Sequence, residues 1–499
     1  MLLIETLLMR KLFRPLLFVA FTLTAIITAG YYFPAEGQER NKVLINLIYG
    51  ILTQSHYEPK EIDNAFSEVV FEEYLQDIDY GKRFLLNSDV EQLRQYATEI
   101  DNELKNGTTE LFDLSIDLIT KRQQQALVYC EEILSSPLDY QRDESYEFDG
   151  EKRKYAKSET ELKEVWRQYL TSRVLGRLHD RLSDQEKEVK DGSNKNDEQA
   201  DEAKLTEDTA ETRILSFEEI EVKARERELE WQRDWFENMQ ELRPDDWMAV
   251  YMNSITGYFD PHTEYFPPQQ KEEFEIQMSG QFEGIGAQLS QKGEFVTIEK
   301  IISGSASWRQ GELEPGDAIL MVAQGTEEPV DVVGMKIRKV VKLIRGKKGT
   351  EVRLTVRKLD GSKKVIPIVR DVVELESTFV KSAVIEPREG EDGKRIGYIR
   401  LPKFYVDFYQ KSNRNCAEDM ERELEKLKAE GVEGVILDLR GNGGGSLEAV
   451  VDIVGLFIPE GPVVQVRTSN NRMRTLEDED NDVVYDGPLV VMVNEFSAS

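Results

Sequence analysis

Two short polar segments directly follow apolar, strand-like runs near the carboxyl end of the sequence. Asn494-Glu-Phe-Ser-Ala-Ser499 comes after Pro488–Val493, and a serine displayed where a buried strand ends is typical of a nucleophile. The glycine-rich segment Asp438–Gly445 ends the run Gly434–Leu439, and such a turn aims bare backbone N–H groups at a developing oxyanion. Taken alone, each segment is more often an ordinary turn, so the chemistry depends on the fold bringing them together.

The glycine cluster lacks the spacing of a nucleotide-binding loop. A phosphate loop has the form G-x-x-x-x-G-K-[ST], and no Lys follows the glycines here. The dinucleotide pattern G-x-G-x-x-G also fails, because its last position is Ser446. The pattern therefore argues against nucleotide binding.

A second loop, Gly284-Ile-Gly-Ala287, precedes the strand-like run Phe295–Ile302. Gly284 and Gly286 free the backbone, so that consecutive N–H groups around Ile285–Ala287 converge on an anion, as in a carboxylate nest. The terminal carboxylate of a peptide fits such a nest. A G-I-G sequence alone is usually only a tight turn.

The segments around this loop complete a recognisable pattern. Gly311–Leu320 contains a Gly-Asp turn, Asp331–Ile344 is predicted to be helical, and Glu351–Val356 is a strand. In this order the segments resemble a PDZ domain, which we place at residues 270–375. A peptide tail would add to the open strand edge, and its last side chain would enter an apolar pocket between Ile285, Leu289 and the predicted helix.

Beyond residue 376 strand-like and helical patterns alternate, which favours a layered α/β core. The predicted elements are the strand Arg395–Leu401, the helix Ala417–Glu430, the strand Gly434–Leu439, the helix Leu447–Phe457 and the strand Pro488–Val493. Their order brings the glycine cluster and the terminal serines to strand ends.

The amino-terminal half has a different pattern. Apolar residues recur at helical spacing from about Lys42 to Glu241, which predicts a helical domain over residues 42–265. Within it, Asp184–Arg213 is dense in charge, with Val189 and Leu205 as its larger aliphatic residues. Such a segment buries too little surface to offset its ordering entropy, so it is predicted to be a disordered loop.

The first thirty residues predict export. Arg10, Lys11 and Arg14 precede an apolar run over residues 16–30, which is the pattern of a signal peptide and is short for a membrane span. Because no clear cleavage site follows, an uncleaved amino-terminal anchor over residues 1–30 stays open.

Composition excludes several classes of function. The 64 Lys and Arg against 95 Asp and Glu give a formal net charge of -31, which repels phosphate backbones and argues against a nucleic-acid partner. The histidines are scattered and the two cysteines, Cys130 and Cys416, have no ligand-like spacing. We therefore expect no metal and no cofactor, while a single disulfide bridge stays open.

Taken together, the motifs closely resemble one family over nearly the whole chain. The segments that carry the resemblance are Asp260-Pro-His-Thr-Glu-Tyr265, the PDZ pattern, Ile396–Leu401, Gly441–Gly445 and the terminal serine motif. The family is that of the tail-specific, carboxy-terminal processing serine proteases with a PDZ domain. It implies a multidomain α+β fold: a helical amino-terminal domain, a barrel-like PDZ domain and a crotonase-like α/β protease core from residue 376, incomplete at Ser499.

The resemblance also assigns roles to residues. The family motif S-A-S-A-S-E has its second serine as nucleophile, which falls on Ser499, with Ser497 as the near alternative. Gly445, with Gly444 beside it, would supply an oxyanion-hole N–H. The family pairs the serine with a lysine general base in a Gly-Lys-Gly motif further downstream. No such lysine occurs up to position 499, so the sequence as given is expected to bind tails without cleaving them.

The implied function is cleavage of exported proteins that carry apolar C-terminal tails, in the periplasm. An adaptor lipoprotein and attachment to the inner membrane are left open. The competing hypothesis is a non-catalytic, exported PDZ scaffold that binds tails without cutting them.

Overall fold

The computed structural model describes residues 37–194, 215–388, 393–407, 414–469, 471–479 and 481–499. These residues form two compact units that divide after Pro267. The predicted export segment, residues 1–30, lies outside the described residues. Within the described ranges, no helix combines the length and the apolar character that crossing a bilayer requires.

The first unit is helical, as the sequence predicts. Its core is built on large side chains that are fully buried, among them Phe66, Tyr74, Trp166 and Phe236. Its helices are α1 Gly37–Gln54, α2 Asn64–Asp79, α3 Asn87–Leu93, α4 Ile100–Asn106, α5 Glu110–Leu134, α6 Glu159–Asn194, α7 Phe217–Gln240 and α8 Pro244–Gly257, with short 3-10 turns at Arg94–Tyr96 and Gly150–Lys152.

The segment predicted to be a disordered loop, residues 184–213, begins within helix α6. The helix continues to Asn194, so the prediction is wrong for residues 184–194, and residues 195–213 lie outside the described residues. Glu, Lys and Gln are good helix formers, which offsets the scarcity of apolar residues. Gln185 also fixes the helix, because its side-chain amide donates to Leu215 O at 3.2 Å and accepts from Leu215 N at 3.0 Å.

The second unit begins with helix α9, Pro268–Ser279, followed by the predicted PDZ region. Strands β2, β3, β4, β6 and β7 form an antiparallel sheet in that order, β5 pairs with β4, and β1 pairs separately with β8. The elements of this region are β1 Gln281–Gly284, β2 Ala287–Lys292, β3 Phe295–Ile301, α10 Ala306–Gln310, β4 Ala318–Gln324, β5 Val330–Asp331, α11 Ile337–Ile344, β6 Glu351–Arg357, β7 Lys363–Val369 and β8 Asp371–Glu374.

Two details differ from the predicted PDZ region. The sheet is open in the described part of the chain, with β2 and β7 at its edges, so it does not form a closed barrel. The helix predicted to start at Asp331 starts at Ile337. Val330 and Asp331 pair instead with β4, and Gly334, at φ +76°, makes the turn before the helix.

The remainder of the second unit is the predicted layered α/β segment. Strands β10, β11 and β14 are parallel, and β9 pairs antiparallel with β10 at one edge. Register pairs Arg400 with Asp438 and Asp438 with Met492, so these strands end at one edge of the sheet. The elements are β9 Lys381–Ile385, β10 Ile396–Arg400, α12 Cys416–Ala429, β11 Gly434–Asp438, α13 Leu447–Gly455, β12 Gly461–Arg467, β13 Met473–Asp478 and β14 Leu489–Met492.

A buried carboxyl makes the stability of the helical unit depend on pH. Glu103, on α4, accepts the Leu111 N–H at 2.8 Å and the Tyr251 hydroxyl at 3.1 Å. Burial nevertheless raises the pKa of Glu103 from 4.5 to about 7. The folded state therefore holds this proton more tightly than the unfolded state, and the stabilisation is lost as pH rises from about 4.5 to 7.

We expect Glu103→Gln to reduce the fall in stability between pH 5 and pH 8. A pKa shift of this size corresponds to about 3 kcal/mol in the free energy of unfolding. The glutamine side chain does not titrate between pH 5 and pH 8, so the variant lacks this contribution. Urea unfolding of the helical unit, followed by circular dichroism at both pH values, measures the change. The exposed Glu68→Gln is the control, and a pH dependence that is the same in both variants would contradict the assignment.

Candidate functional site

The sheet brings the glycine cluster and the terminal serine segment into contact. Leu439 N donates to Met492 O at 2.9 Å, and Ala498 N donates to Asn442 O at 2.9 Å. Gly444 faces Ser499 so closely that a Cβ on Gly444 would lie 2.7 Å from Ser499 Cβ. The two segments that sequence reasoning singled out are therefore neighbours.

Asn442 joins this turn to its surroundings. The residue is 1% exposed. Its side-chain nitrogen donates to Leu401 O at 3.1 Å, and its side-chain oxygen accepts the Gly444 N–H at 2.8 Å. Sequence reasoning missed Asn442, although an amide within a glycine cluster after a buried strand is a signal that could have found it.

Gly445 presents a backbone N–H with no partner in the described part of the chain. On either side of it, Phe404 N donates to Gly444 O at 3.1 Å and Ser446 N donates to Phe404 O at 2.9 Å. A Cβ on Gly445 would lie 2.1 Å from Phe404 O, so a larger residue does not fit without a backbone shift. The geometry is that of a donor able to bind an oxyanion.

The two candidate serines have different environments. The Ser497 hydroxyl donates to Leu439 O at 2.8 Å and accepts the Asn494 N–H at 2.9 Å. Ser499 is exposed, and within the described residues its hydroxyl makes no hydrogen bond. Its φ of +45° lies in the left-handed region, which is uncommon for a residue with a side chain.

Asn494, also missed from the sequence, holds the base of the serine loop. Its side-chain oxygen accepts the Gly441 N–H at 2.8 Å and the Phe496 N–H at 3.2 Å. The loop is therefore bonded to the glycine turn through Asn494 at one end and through Ala498 at the other. Ser497 lies between these points, with its hydroxyl bonded to Leu439 O.

A charged cluster lies at the same strand ends. Arg440 donates to Asp438 through two nitrogens, at 2.9 and 2.8 Å, and the Tyr398 hydroxyl donates to Asp438 at 2.5 Å. The Arg440 guanidinium holds the pKa of the Asp438 carboxyl well below its usual range. These side chains, with Arg400 and Asn494, line a cavity of about 320 Å³. The hydrogen bond from Tyr398 to Asp438 joins β10 to β11 at this edge.

The predicted carboxylate loop has the backbone that a nest requires. Gly286 has φ +76°, and a Cβ there would lie 2.1 Å from Ser305 Cβ. Ser307 N donates to Ile285 O at 2.8 Å, and Ile302 N donates to Gly286 O at 2.9 Å. In the described part of the chain the N–H groups of Ile285 and Gly286 have no acceptor. Both are therefore available to an anion.

The other predicted residues of this site lie on β1 and β2, and the predicted tail groove runs between β2 and helix α11. Gly284 ends β1 and Ala287 begins β2, whose outer edge is unpaired among the described strands. Leu289 is half-buried on β2. Helix α11 lies beside that strand, because Ile337 N donates to the Gln291 side chain at 3.1 Å.

Asp260-Pro-His-Thr-Glu-Tyr265 is a turn within the helical unit. Asp260 accepts the His262 and Thr263 N–H groups at 2.7 and 3.0 Å. Its carboxylate also lies 2.6 Å from His56 Nε2. These contacts are the ordinary contacts of a structural turn.

Comparisons with known proteins agree with this division of the chain. The family models that match are "Tail specific protease N-terminal domain" over residues 48–269, "PDZ domain" over 273–357 and "Peptidase family S41" over 395–499. The tail-specific protease of Haemophilus influenzae is 33% identical over 453 residues, which are 90% of this chain and 58% of that protein. Over 90% of its length the chain is therefore similar to a tail-specific protease, and residues 48–269 match the N-terminal domain of such proteases.

Other relatives match shorter stretches. The carboxy-terminal processing protease CtpA of Bacillus subtilis is 32% identical over 246 residues, which are 49% of this chain and 48% of that protein. A crystal structure of the PDZ domain of a carboxy-terminal protease from Vibrio cholerae, in complex with peptide, also matches. The sequence identity is 38%, the match covers 19% of this chain and 99% of the Vibrio cholerae chain, and the TM-score is 0.19. The chain spans about half the length of the curated tail-specific relatives it matches.

No arrangement suited to a metal ion occurs in the described ranges, where no three His, Cys, Asp or Glu side chains cluster closely enough. Cys130 and Cys416 are both free and buried. Burial raises the pKa of the Cys416 thiol to about 12. Neither thiol is suited to act as a nucleophile, since the reactive form is the thiolate.

We expect Asn442→Ala to lower the free energy of unfolding of the second unit by about 2–3 kcal/mol, because two buried backbone groups lose their partners. Urea unfolding measures this loss. The control is Asn481→Ala, at an exposed position, which should change stability by less than about 0.5 kcal/mol. Equal effects of the two substitutions would show that Asn442 does not organise the turn.

Proposed function

We propose that this chain carries the tail-binding domain and the nucleophile of a serine endopeptidase that cleaves proteins with apolar C-terminal tails. The observation that carries the proposal is the difference between the two serines. Ser497 is bonded within its loop, whereas the Ser499 hydroxyl is exposed beside the Gly444–Gly445 turn. Similarity to a tail-specific protease and the match to the S41 peptidase family support the reaction class.

In the proposed mechanism, the carboxylate nest at Ile285 and Gly286 holds the terminal carboxylate while the tail adds to the edge of β2. A more distant peptide bond of the same polypeptide reaches Ser499. The Ser499 oxygen attacks the carbonyl carbon as a general base takes its proton, and the Gly445 N–H stabilises the oxyanion. The proton passes to the leaving amine, and water then hydrolyses the acyl-enzyme.

The proposal for the general base comes from the resemblance to the family. The family assigns it to a lysine that follows the nucleophile in sequence, and burial would keep such a lysine neutral. This pairing accounts for the lack of a Ser-His-Asp pattern among the three scattered histidines of the sequence. We propose the same Ser-Lys dyad for the complete protein.

The proposed location is the periplasm. The basic residues and apolar run at the amino terminus support export. The proposed substrates are therefore exported proteins. An adaptor lipoprotein and attachment to the inner membrane are compatible with this location.

We expect Ser499→Ala, in the complete protein that the gene encodes, to reduce cleavage of a tail-bearing substrate by about 10³-fold or more. Ser497→Ala should cost about tenfold or less, because it removes hydrogen bonds of the loop and not the nucleophile. Cleavage is followed by mass spectrometry of the products. Full activity of the Ser499→Ala protein would contradict the choice of nucleophile, and inactivity of the unsubstituted protein would favour a scaffold.

We expect peptides with a free carboxylate to bind at least about tenfold more tightly than the same peptides with an amidated terminus, because a charge-assisted contact is lost. Gly286→Val should weaken binding similarly, since its side chain would meet Ser305. Gly293→Val is the matched control, with a positive φ of +60° but open space around it. Fluorescence anisotropy measures binding. Equal affinity for free and amidated peptides would show that the loop is only a turn.

A further inference from the structure

A buried guanidinium contacts the carboxyl end of helix α11. Arg370, between β7 and β8, is 2% exposed, and within the described contacts it meets no carboxylate. Its nitrogens donate instead to neutral oxygens: Ile344 O at 2.7 Å, Leu343 O at 3.1 Å, Gln324 Oε1 at 2.6 Å, Thr350 Oγ1 at 2.9 Å and Glu351 O at 3.4 Å. A buried cation is costly unless such partners satisfy it, so these hydrogen bonds are what keeps the Arg370 side chain at this position.

Helix α11 depends on this guanidinium for its carboxyl end. The helix has eight residues, too few to be stable alone. It ends without a left-handed glycine, because its C-cap Arg345 has extended backbone angles. The carbonyl groups of Leu343 and Ile344 are bonded by Arg370, and Leu343 O also accepts from the Gln324 side chain at 2.7 Å.

The same end of α11 lies against the carboxylate loop. A Cβ on Gly284 would lie 3.9 Å from Arg345 Cγ. Asp371, which follows Arg370 in sequence, pairs with Gly284 in the β1–β8 ladder. Arg370 is therefore bonded to the helix that forms one wall of the groove, and it is covalently joined to the strand that holds the loop.

We propose that Arg370 is a positioning residue that sets the separation between α11 and the carboxylate loop, and thereby determines which terminal side chain the groove admits. The proposal rests on the proposed tail binding. The terminal side chain of a bound tail lies between this helix and Ile285, so a small displacement of the helix changes the room for it. One methylene group more or less in an apolar pocket changes affinity by about tenfold or more.

The test compares three peptides that carry a free carboxylate and differ only in a terminal Ala, Val or Phe. Arg370→Met removes every donor and retains an apolar stem, and Arg370→Lys retains charge without the planar fork. We expect the ratio of Kd values for the Ala and Phe peptides to change by about tenfold in Arg370→Met. A smaller change in the same direction is expected in Arg370→Lys.

Two further variants keep the test decisive. Val356→Ala makes a cavity in the same domain at a fully buried residue of β6 that takes no part in the Arg370 network, and it should leave the ratio unchanged. Gly346→Ala does not change Arg370 itself. It would put a Cβ 2.9 Å from Arg370 Cζ, so the guanidinium must shift. It should shift the ratio even if Arg370→Met fails to fold.

The outcomes separate the two proposals. Uniformly weaker binding of all three peptides in the Arg370 and Gly346 variants, with an unchanged ratio, would overturn the positioning role and leave tail binding standing. Failure of the unsubstituted chain to bind any of the peptides would overturn tail binding itself and the positioning role with it.

Discussion

Hydrogen bonds to and from Asn442 join the glycine turn after β11 to the serine loop after β14. The parallel strands bring both segments to one edge of the sheet, but strand order alone does not fix the turn against the loop. Asn442 binds Leu401 and Gly444 through its side chain and Ala498 through its backbone. Because these contacts are buried, they hold the Gly445 N–H and the Ser499 side chain in one neighbourhood without restraining the Ser499 hydroxyl.

The two candidate binding features of the second unit rely on the same physical device. At Gly286 in the carboxylate loop and at Gly445 in the glycine turn, a backbone N–H is left without an acceptor among the described residues, at a position where a side chain would collide with its neighbours. Backbone donors held in this way can bind negative charge without further reorganisation. One feature suits the permanent charge of a peptide terminus, and the other suits charge that develops during acyl transfer.

Resemblance placed the PDZ elements, and periodicity predicted the helical unit and the alternating α/β segment, because these patterns follow directly from burial. Periodicity failed at two boundaries. Asp331 lies in a short strand that pairs with Met321 of β4, and residues 184–194 are helical because propensity and a contact of Gln185 with Leu215 replace apolar burial. A two-residue strand is too short to show a periodicity, and the partner of Gln185 is distant in sequence.

Sequence motifs supplied the candidate residues Gly286, Gly445 and the two serines, but not their surroundings. The Ser497 hydroxyl is bonded to Leu439, which follows another strand. Asn442 and Asn494 were missed because each acts through backbone groups that only the folded sheet brings close. The residues that hold the candidate groups therefore became visible only in the fold.

The most direct measurement is covalent labelling of the complete protein with a serine-reactive sulfonyl fluoride, followed by peptide mapping. The account predicts an adduct on Ser499, because its hydroxyl is exposed beside an oxyanion donor, and no adduct on Ser497. Labelling of Ser497, or labelling that persists at an unchanged level after Ser499→Ala, would contradict it.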